Sequence, residues 1–161
     1  MNEAKILYVM GVSGSGKSTI GKLLAEELDI PFFDGDDYHP EANIQKMSEG
    51  KPLNDEDRQG WLERLNELAK ENTTNGAVIV CSALKKKYRR LLESGLNNSR
   101  FVFLNGSFEL ISKRLKNRDG HFMPTDLLKS QFDTLEEPEN AINVSIDQTP
   151  KAIVSDIVEK L

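Results

Sequence analysis

The hydrophobic pattern changes period along the chain in a way that predicts strands alternating with helices. The run Ile6–Met10 is apolar throughout and ends on a glycine, the mark of a short strand buried on both faces. From Ser18 to Leu28 the apolar positions Ile20, Leu23, Leu24 and Leu28 recur at helical spacing, with the acids and lysine elsewhere. A second strand, Pro31-Phe32-Phe33, is closed by Asp34-Gly35-Asp36. Pro40 suits the first turn of a short helix over residues 40–48. Asn54 is a good N-cap, and Asp55, Glu56 and Asp57 load the next first turn with negative charge. That helix should run to about residue 72 and bury Trp61, Leu62, Leu65 and Leu68. After the break at Asn75-Gly76 come a strand over Ala77–Cys81, a basic helix from near Lys85, a strand over Phe101–Leu104 and a helix over Phe108–Lys116. A polar stretch, Arg118–Pro124, leads into a helix from about Thr125 to Leu135, a strand over Ala141–Ile146 and a helix over Pro150–Leu161. Such alternation predicts an α/β fold whose parallel sheet is covered on both faces. In such sheets ligands bind at the carboxyl ends of the strands, where the loops carrying Gly11, Asp34 and Ser82 fall.

Composition narrows the class. The chain has 161 residues, the size of one domain, and neither repeats nor a low-complexity linker divide 1–161. A net charge of −5 argues against a nucleic-acid binder, so any bound polyanion needs a local positive site. The one cysteine, Cys81, cannot form an internal disulfide, and no signal peptide or run of roughly 20 apolar residues is visible. A cytoplasmic protein with no membrane partner is the expectation.

The first chemical signal is Gly11, Val12, Ser13, Gly14, Ser15, Gly16, Lys17 and Ser18, which meets every fixed position of the P-loop pattern between a strand and a helix. Glycines let the backbone curl so that successive N–H groups point at phosphate oxygens, and the following helix aims its positive end at the same charge. Lys17 then bridges the β- and γ-phosphates of ATP, Ser18 holds Mg²⁺, and Thr19 reaches the α-phosphate. The loop signals a bound triphosphate; GTPase switches and ATPase motors use it as kinases do.

Acids beside a triphosphate are electrostatically costly unless they serve metal or proton chemistry, so Asp34 and Asp36 are candidates for orienting Mg²⁺-bound water and for accepting the proton of an attacking hydroxyl. The plainer alternative is an acidic turn capping the next helix. Arg58 offers a guanidinium fork to a carboxylate or phosphate, or forms only an i−3 pair with Asp55. The block Lys85–Arg90 is either a nucleic-acid patch or one solvated helix face, with Lys85 near enough to a strand end to reach the site. Lys113, Arg114, Lys116 and Arg118 precede Asp119-Gly120-His121, a cation-rich, glycine-containing segment that reads as a lid closing over ATP, or as a polar helix end. His39 and His121 have no metal-site spacing.

Taken together, these blocks resemble the small P-loop gluconate kinases of the thermoresistant type over nearly the whole chain. The carriers, besides the phosphate loop, are Asp34-Gly-Asp36 with His39-Pro40, Asn43-Ile44 with Lys46-Met47, and Pro52-Leu53-Asn54-Asp55 with Asp57-Arg58 and Trp61-Leu62. Further on they are Cys81-Ser-Ala-Leu-Lys85 with Tyr88-Arg89, Gly120-His-Phe122, Ser130-Gln-Phe132 and Thr134-Leu-Glu136. The resemblance implies ATP + D-gluconate → ADP + 6-phospho-D-gluconate. It implies a three-layer, nucleoside-monophosphate-kinase-like fold with sheet order 2-3-1-4-5 and a lid at about 118–126. It makes Asp36 the acceptor-hydroxyl base or orienter, His39, Arg58, Lys85 and His121 substrate contacts, and Arg114 and Arg118 lid contacts to ATP, Arg118 supplying charge to the transition state. A homodimer is implied by the resemblance alone. One departure from the general P-loop pattern is that the third strand ends Val80-Cys81-Ser82 with no aspartate, which leaves Mg²⁺ to Ser18, nucleotide oxygens and water, with Asp34 behind them. The competing readings are a kinase for another small acceptor such as shikimate, and a nucleotide switch or nucleic-acid-associated ATPase resting on Lys85–Arg90 alone.

Overall fold

The computed structural model describes residues 6–116 and 125–161. Five strands, β1 (Ile6–Met10), β2 (Phe32–Asp34), β3 (Ala77–Val80), β4 (Ser99–Asn105) and β5 (Ile142–Ser145), form one parallel sheet in the order β2-β3-β1-β4-β5, the order the resemblance implied. The helices are α1 (Lys17–Leu28), α2 (Glu41–Ser48), α3 (Asp55–Glu71), α4 (Lys86–Glu93), α5 (Phe108–Lys116), α6 (Thr125–Thr134) and α7 (Pro150–Lys160). Most boundaries agree with the periodicity to within a residue or two, but a 3₁₀ turn over Gly35–Tyr38 replaces the simple acidic turn. The lid expected at about 118–126, with Arg118 and His121, lies outside the described residues apart from the start of α6.

Strand alternation divides the core into two layers. Leu7, Val9, Val78, Val80, Val102 and Leu104 face one side, with Ile20 and Leu24 of α1 and Ile153 and Ile157 of α7. Ile6, Tyr8, Ile79, Phe101 and Phe103 face the other, with Trp61, Leu62 and Leu65 of α3 and Leu92 of α4. With both faces covered, β1 and β3 are buried at every position, as the unbroken run in β1 predicted. Leu23, assigned to the buried stripe of α1 by spacing, is 37% exposed, because α1 rests on the sheet through Ile20, Gly21, Leu24 and Ala25.

The basic block is not one solvated face. Arg89 is buried, donating to the carbonyl oxygens of Ala83 at 2.7 Å and Glu136 at 2.7 Å. Glu136 also accepts from the Lys86 backbone N–H at 2.8 Å, and its own N–H donates to the Leu84 carbonyl at 2.8 Å. These bonds hold the β3–α4 connection, in which Ala83 takes a left-handed backbone with φ 47°, a conformation that costs a non-glycine residue free energy and persists only where its surroundings enforce it. Among the described residues no helix is long and apolar enough to cross a membrane.

The 3₁₀ turn is fixed where β2 ends. A Cβ on Gly35 would sit 2.4 Å from the Val80 carbonyl oxygen, a backbone atom that cannot step aside, and the Trp61 indole N–H donates to the Gly35 carbonyl at 2.7 Å. Gly35→Ala should therefore destabilise the fold by about 2 kcal/mol or more, as overpacking against fixed atoms does. For a chain of this length the thermal midpoint is expected to fall by roughly 5 °C or more, measured by calorimetry against wild type; an unchanged midpoint would show that the strands separate easily there.

Candidate active site

The phosphate loop follows from β1 ending at the sheet's centre. Gly16 precedes α1 with φ 91° and offers no side-chain cap, so the first-turn N–H groups of α1 are left facing the mouth of the loop. A Cβ on Gly16 would meet nothing within 4 Å, so this glycine is required by its left-handed backbone rather than by crowding. Among the described residues, the buried Ser15 hydroxyl finds no hydrogen-bond partner. An uncapped helix start, a curled glycine-rich loop and an orphaned hydroxyl together fit a phosphate chain. Lys17 Nζ donates to the Val12 carbonyl at 3.0 Å across the loop. Burial holds the Lys17 ammonium below its ordinary value, opposed by the charges of Asp36 and Asp34.

The loop opens into a cavity of about 340 Å³ that Lys17, Ser18, Thr19, Asp34, Asp36 and Gln131 help to line. Asp34, the last residue of β2, does two jobs there. One carboxylate oxygen accepts from the Ser18 hydroxyl at 3.2 Å, and the other caps the 3₁₀ turn by accepting from the Asp36 N–H at 3.0 Å. Ser18 and Asp34 therefore supply adjacent oxygens, the donor type Mg²⁺ takes, in the small number it accepts when phosphates and water complete its shell. Asp36 stands clear of this pairing, its side chain 86% exposed at the cleft. The surrounding cleft walls and then the Asp34 charge raise its carboxyl above the ordinary value, effects that solvent screens at this exposure.

On the far side of Asp36 the ring of His39 stacks on Trp61, with centroids 4.1 Å apart and planes 16° from parallel. Its Nε2 lies 3.9 Å from Asp36 Oδ1. Burial, only partly offset by Asp36 and reinforced by Arg58, lowers the His39 imidazole's affinity for a second proton. Beyond it lies a cationic cluster from α3 and α4. Arg58 donates to the Tyr88 hydroxyl at 3.2 Å, and its guanidinium and the Lys85 ammonium each lie 5.6 Å from the centre of the Tyr88 ring. Asp55 ties the cluster together, accepting from the Tyr88 hydroxyl at 2.6 Å, pairing with Lys87, and standing 3.6 Å from Lys85 and 4.0 Å from Arg58. Its bond with Lys87 first, then that with Tyr88, hold the Asp55 carboxyl well below the usual carboxylate range.

The structure thus brings Lys17, Ser18, Thr19, Asp34 and Asp36 to one cavity and sets His39, Arg58 and Lys85 beside it. The i−3 pair of Arg58 with Asp55 exists, but as one edge of a larger network. Arg114, read as a nucleotide contact, donates to the Ile146 carbonyl at 2.6 Å, just beyond β5. Gln131 carried no role from spacing, yet its amide accepts from the Ser13 N–H at 2.7 Å and donates to the Ser13 hydroxyl at 3.0 Å, tying α6 to the phosphate loop. Tyr88 and Gln131 act on residues 30 and 118 positions away, which no local pattern displays.

Residues 13–161 match the family model described as shikimate kinase. The thermoresistant gluconokinase of Escherichia coli strain K12 is 47% identical over 160 residues, covering 96% of this chain and 91% of that one. A probable gluconokinase of Rattus norvegicus is 46% identical, covering 100% of both. The crystal structure of a gluconokinase from Sinorhizobium meliloti 1021 superimposes with a TM-score of 0.88 at 42% identity, covering 99% of this chain and 92% of that one. The phosphate cradle, the sheet order and these relatives agree, and the chain belongs to the gluconokinase family of ATP-dependent P-loop kinases.

Proposed function

We propose that this chain transfers the γ-phosphate of ATP to D-gluconate, giving ADP and 6-phospho-D-gluconate. The observation that carries the reading is the order of charges along the cleft. A phosphate cradle with Lys17 leads to the exposed carboxylate of Asp36, and that leads to the cationic pair Arg58 and Lys85. A linear sugar acid has the complementary layout, with a carboxylate at one end and a primary hydroxyl at the other. Arg58 and Lys85 hold the carboxylate, which places the hydroxyl end toward Asp36.

Asp36 then accepts the hydroxyl proton as the oxygen bonds to the γ-phosphorus and the bond from that phosphorus to the departing ADP oxygen breaks. Lys17 and the N–H groups at the start of α1 hold the β- and γ-oxygens in line and stabilise the charge that develops on them. Thr19 reaches the α-phosphate. Ser18 would ligate Mg²⁺ with Asp34 directly behind it, and the ion, when bound, neutralises phosphate charge and fixes the phosphate geometry. Arg114 and Arg118 belong to the ATP side and His121 to the sugar side of the same reading, with Arg118 countering transition-state charge. Family resemblance supports a cytoplasmic homodimer as its working form.

An ADP-release assay over a panel of sugar acids should show ATP-dependent turnover of gluconate; turnover of shikimate with none of gluconate would overturn the reading. Asp36→Asn is expected to lower kcat by about 10²–10⁴, the range for loss of a general base, with ATP affinity unchanged in a titration. The base works ionised and its carboxyl is raised, so kcat/KM should fall as the pH decreases through a value above the ordinary aspartate one. That acid limb should vanish from the residual activity of Asp36→Asn. Arg58→Ala should raise KM for gluconate roughly tenfold or more while changing kcat little, and Arg58→Lys should restore only part, since an ammonium lacks the two-pronged fork.

A further inference from the structure

Asn43 of α2 is a buried polar side chain at 3% exposure whose role none of the readings above explains. Its Nδ2 lies 2.8 Å from the backbone carbonyl oxygen of Asp57 and 3.3 Å from His39 Nδ1. A carbonyl oxygen only accepts, so the end of Asn43 that faces it must be the NH₂ group. The second hydrogen of that NH₂ then points at His39 Nδ1, which must present a lone pair. A neutral imidazole with an unprotonated Nδ1 carries its hydrogen on Nε2, the nitrogen 3.9 Å from Asp36 Oδ1. The His39 side chain is 6% exposed and stacked on Trp61, and turning the ring over would put a carbon where Nδ1 stands and forfeit the Asn43 contact.

We propose that Asn43 is a positioning residue that locks His39 as the neutral Nε2–H tautomer, so that the cleft presents one fixed donor beside one fixed acceptor to neighbouring hydroxyls of the polyol. The inference rests on the gluconate reading and adds to it how the middle of the substrate is read. Asp36 accepts from one hydroxyl and His39 Nε2–H donates to another, a pairing that a ring with its hydrogen on Nδ1 could not make because two acceptors would face the sugar. The charged groups facing the imidazole are Asp36 from its own turn and Arg58 from α3. From α2 it meets the neutral Asn43, whose neighbour Lys46 is engaged with Asp57 Oδ2 at 2.6 Å. Burial and Arg58 oppose a second proton on the ring, which keeps the single-donor form through neutral pH.

The test begins with the wild-type protein, which needs no variant to fold. His39 and His121 are the only histidines, so a long-range ¹H–¹⁵N correlation spectrum, assigned with His39→Gln, reports the His39 tautomer directly. At pH 7 the expected pattern is a neutral ring protonated on Nε2; a ring protonated on Nδ1, or an imidazolium, overturns the proposal. The second arm is Asn43→Asp. A carboxylate at this position accepts from Nδ1–H, which moves the neutral ring's hydrogen away from the cleft. We expect kcat/KM for gluconate at pH 7 to fall about tenfold or more, the size of one lost polar contact to substrate. The variant-to-wild-type ratio should climb toward unity as pH falls, because the imidazolium again carries Nε2–H. A loss of the same size at every pH overturns the proposal and makes Asn43 a packing residue only. If wild type turns over no gluconate, the acceptor assignment fails while the spectrum still decides the tautomer.

Discussion

The close approach of the turn after β2 to the end of β3 is the constraint on which the site depends. Gly35 lies so near the Val80 carbonyl that no side chain fits between them, and Trp61 closes the gap from the other side by donating to the Gly35 carbonyl. One indole thus sets the height of the acidic turn and, through its ring face, the position of His39. Asp34 continues the same arrangement, since it ends a strand, caps the turn and meets Ser18 of the phosphate loop. The phosphate half and the acceptor half of the site are joined through these few contacts, so a shift of the turn would separate them.

The charges are distributed to suit transfer rather than stability. Asp34 is engaged with Ser18 and the turn, whereas the exposed Asp36 remains available to a proton. Arg58 and Lys85 are similar in kind. Each is one-third exposed and rests on Tyr88, with Asp55 near enough to restrain them without burying them. A cluster with Arg58, Lys85 and Lys87 around one aspartate keeps a net positive charge, which is what an anionic acceptor requires. Exposed pairs of this sort add little to folding, so the cluster contributes position rather than stability.

Much of this was legible along the chain. The loop at Gly11–Ser18 gathers its backbone N–H groups within one turn, so its pattern is local and the sequence displays it whole. The capping box of α3, with Asn54 and Asp57 bonding each other's backbone N–H groups, was likewise half visible, as the N-cap and acidic first turn. Arg58 was ambiguous because its i−3 partner is real; its other neighbour, Tyr88, comes from another helix. Reading Lys85–Arg90 as one solvated face failed at Arg89 because the carbonyls it serves belong to the strained turn at Ala83 and to Glu136, which no charge pattern reveals.

The sequence by itself determined the alternation of elements, the two-sided burial of the sheet and the triphosphate cradle. Each depends on the period of apolar residues or on glycines and a lysine at fixed short spacing, and those are properties of neighbouring positions. Only the tertiary structure decided how the side chains are engaged: which acid meets Ser18 and which stays exposed, what Gln131 holds, and what His39 stacks on. Those outcomes rest on hydrogen bonds between residues far apart in the chain, whose direction is set by where the folded backbone places a carbonyl or an amide.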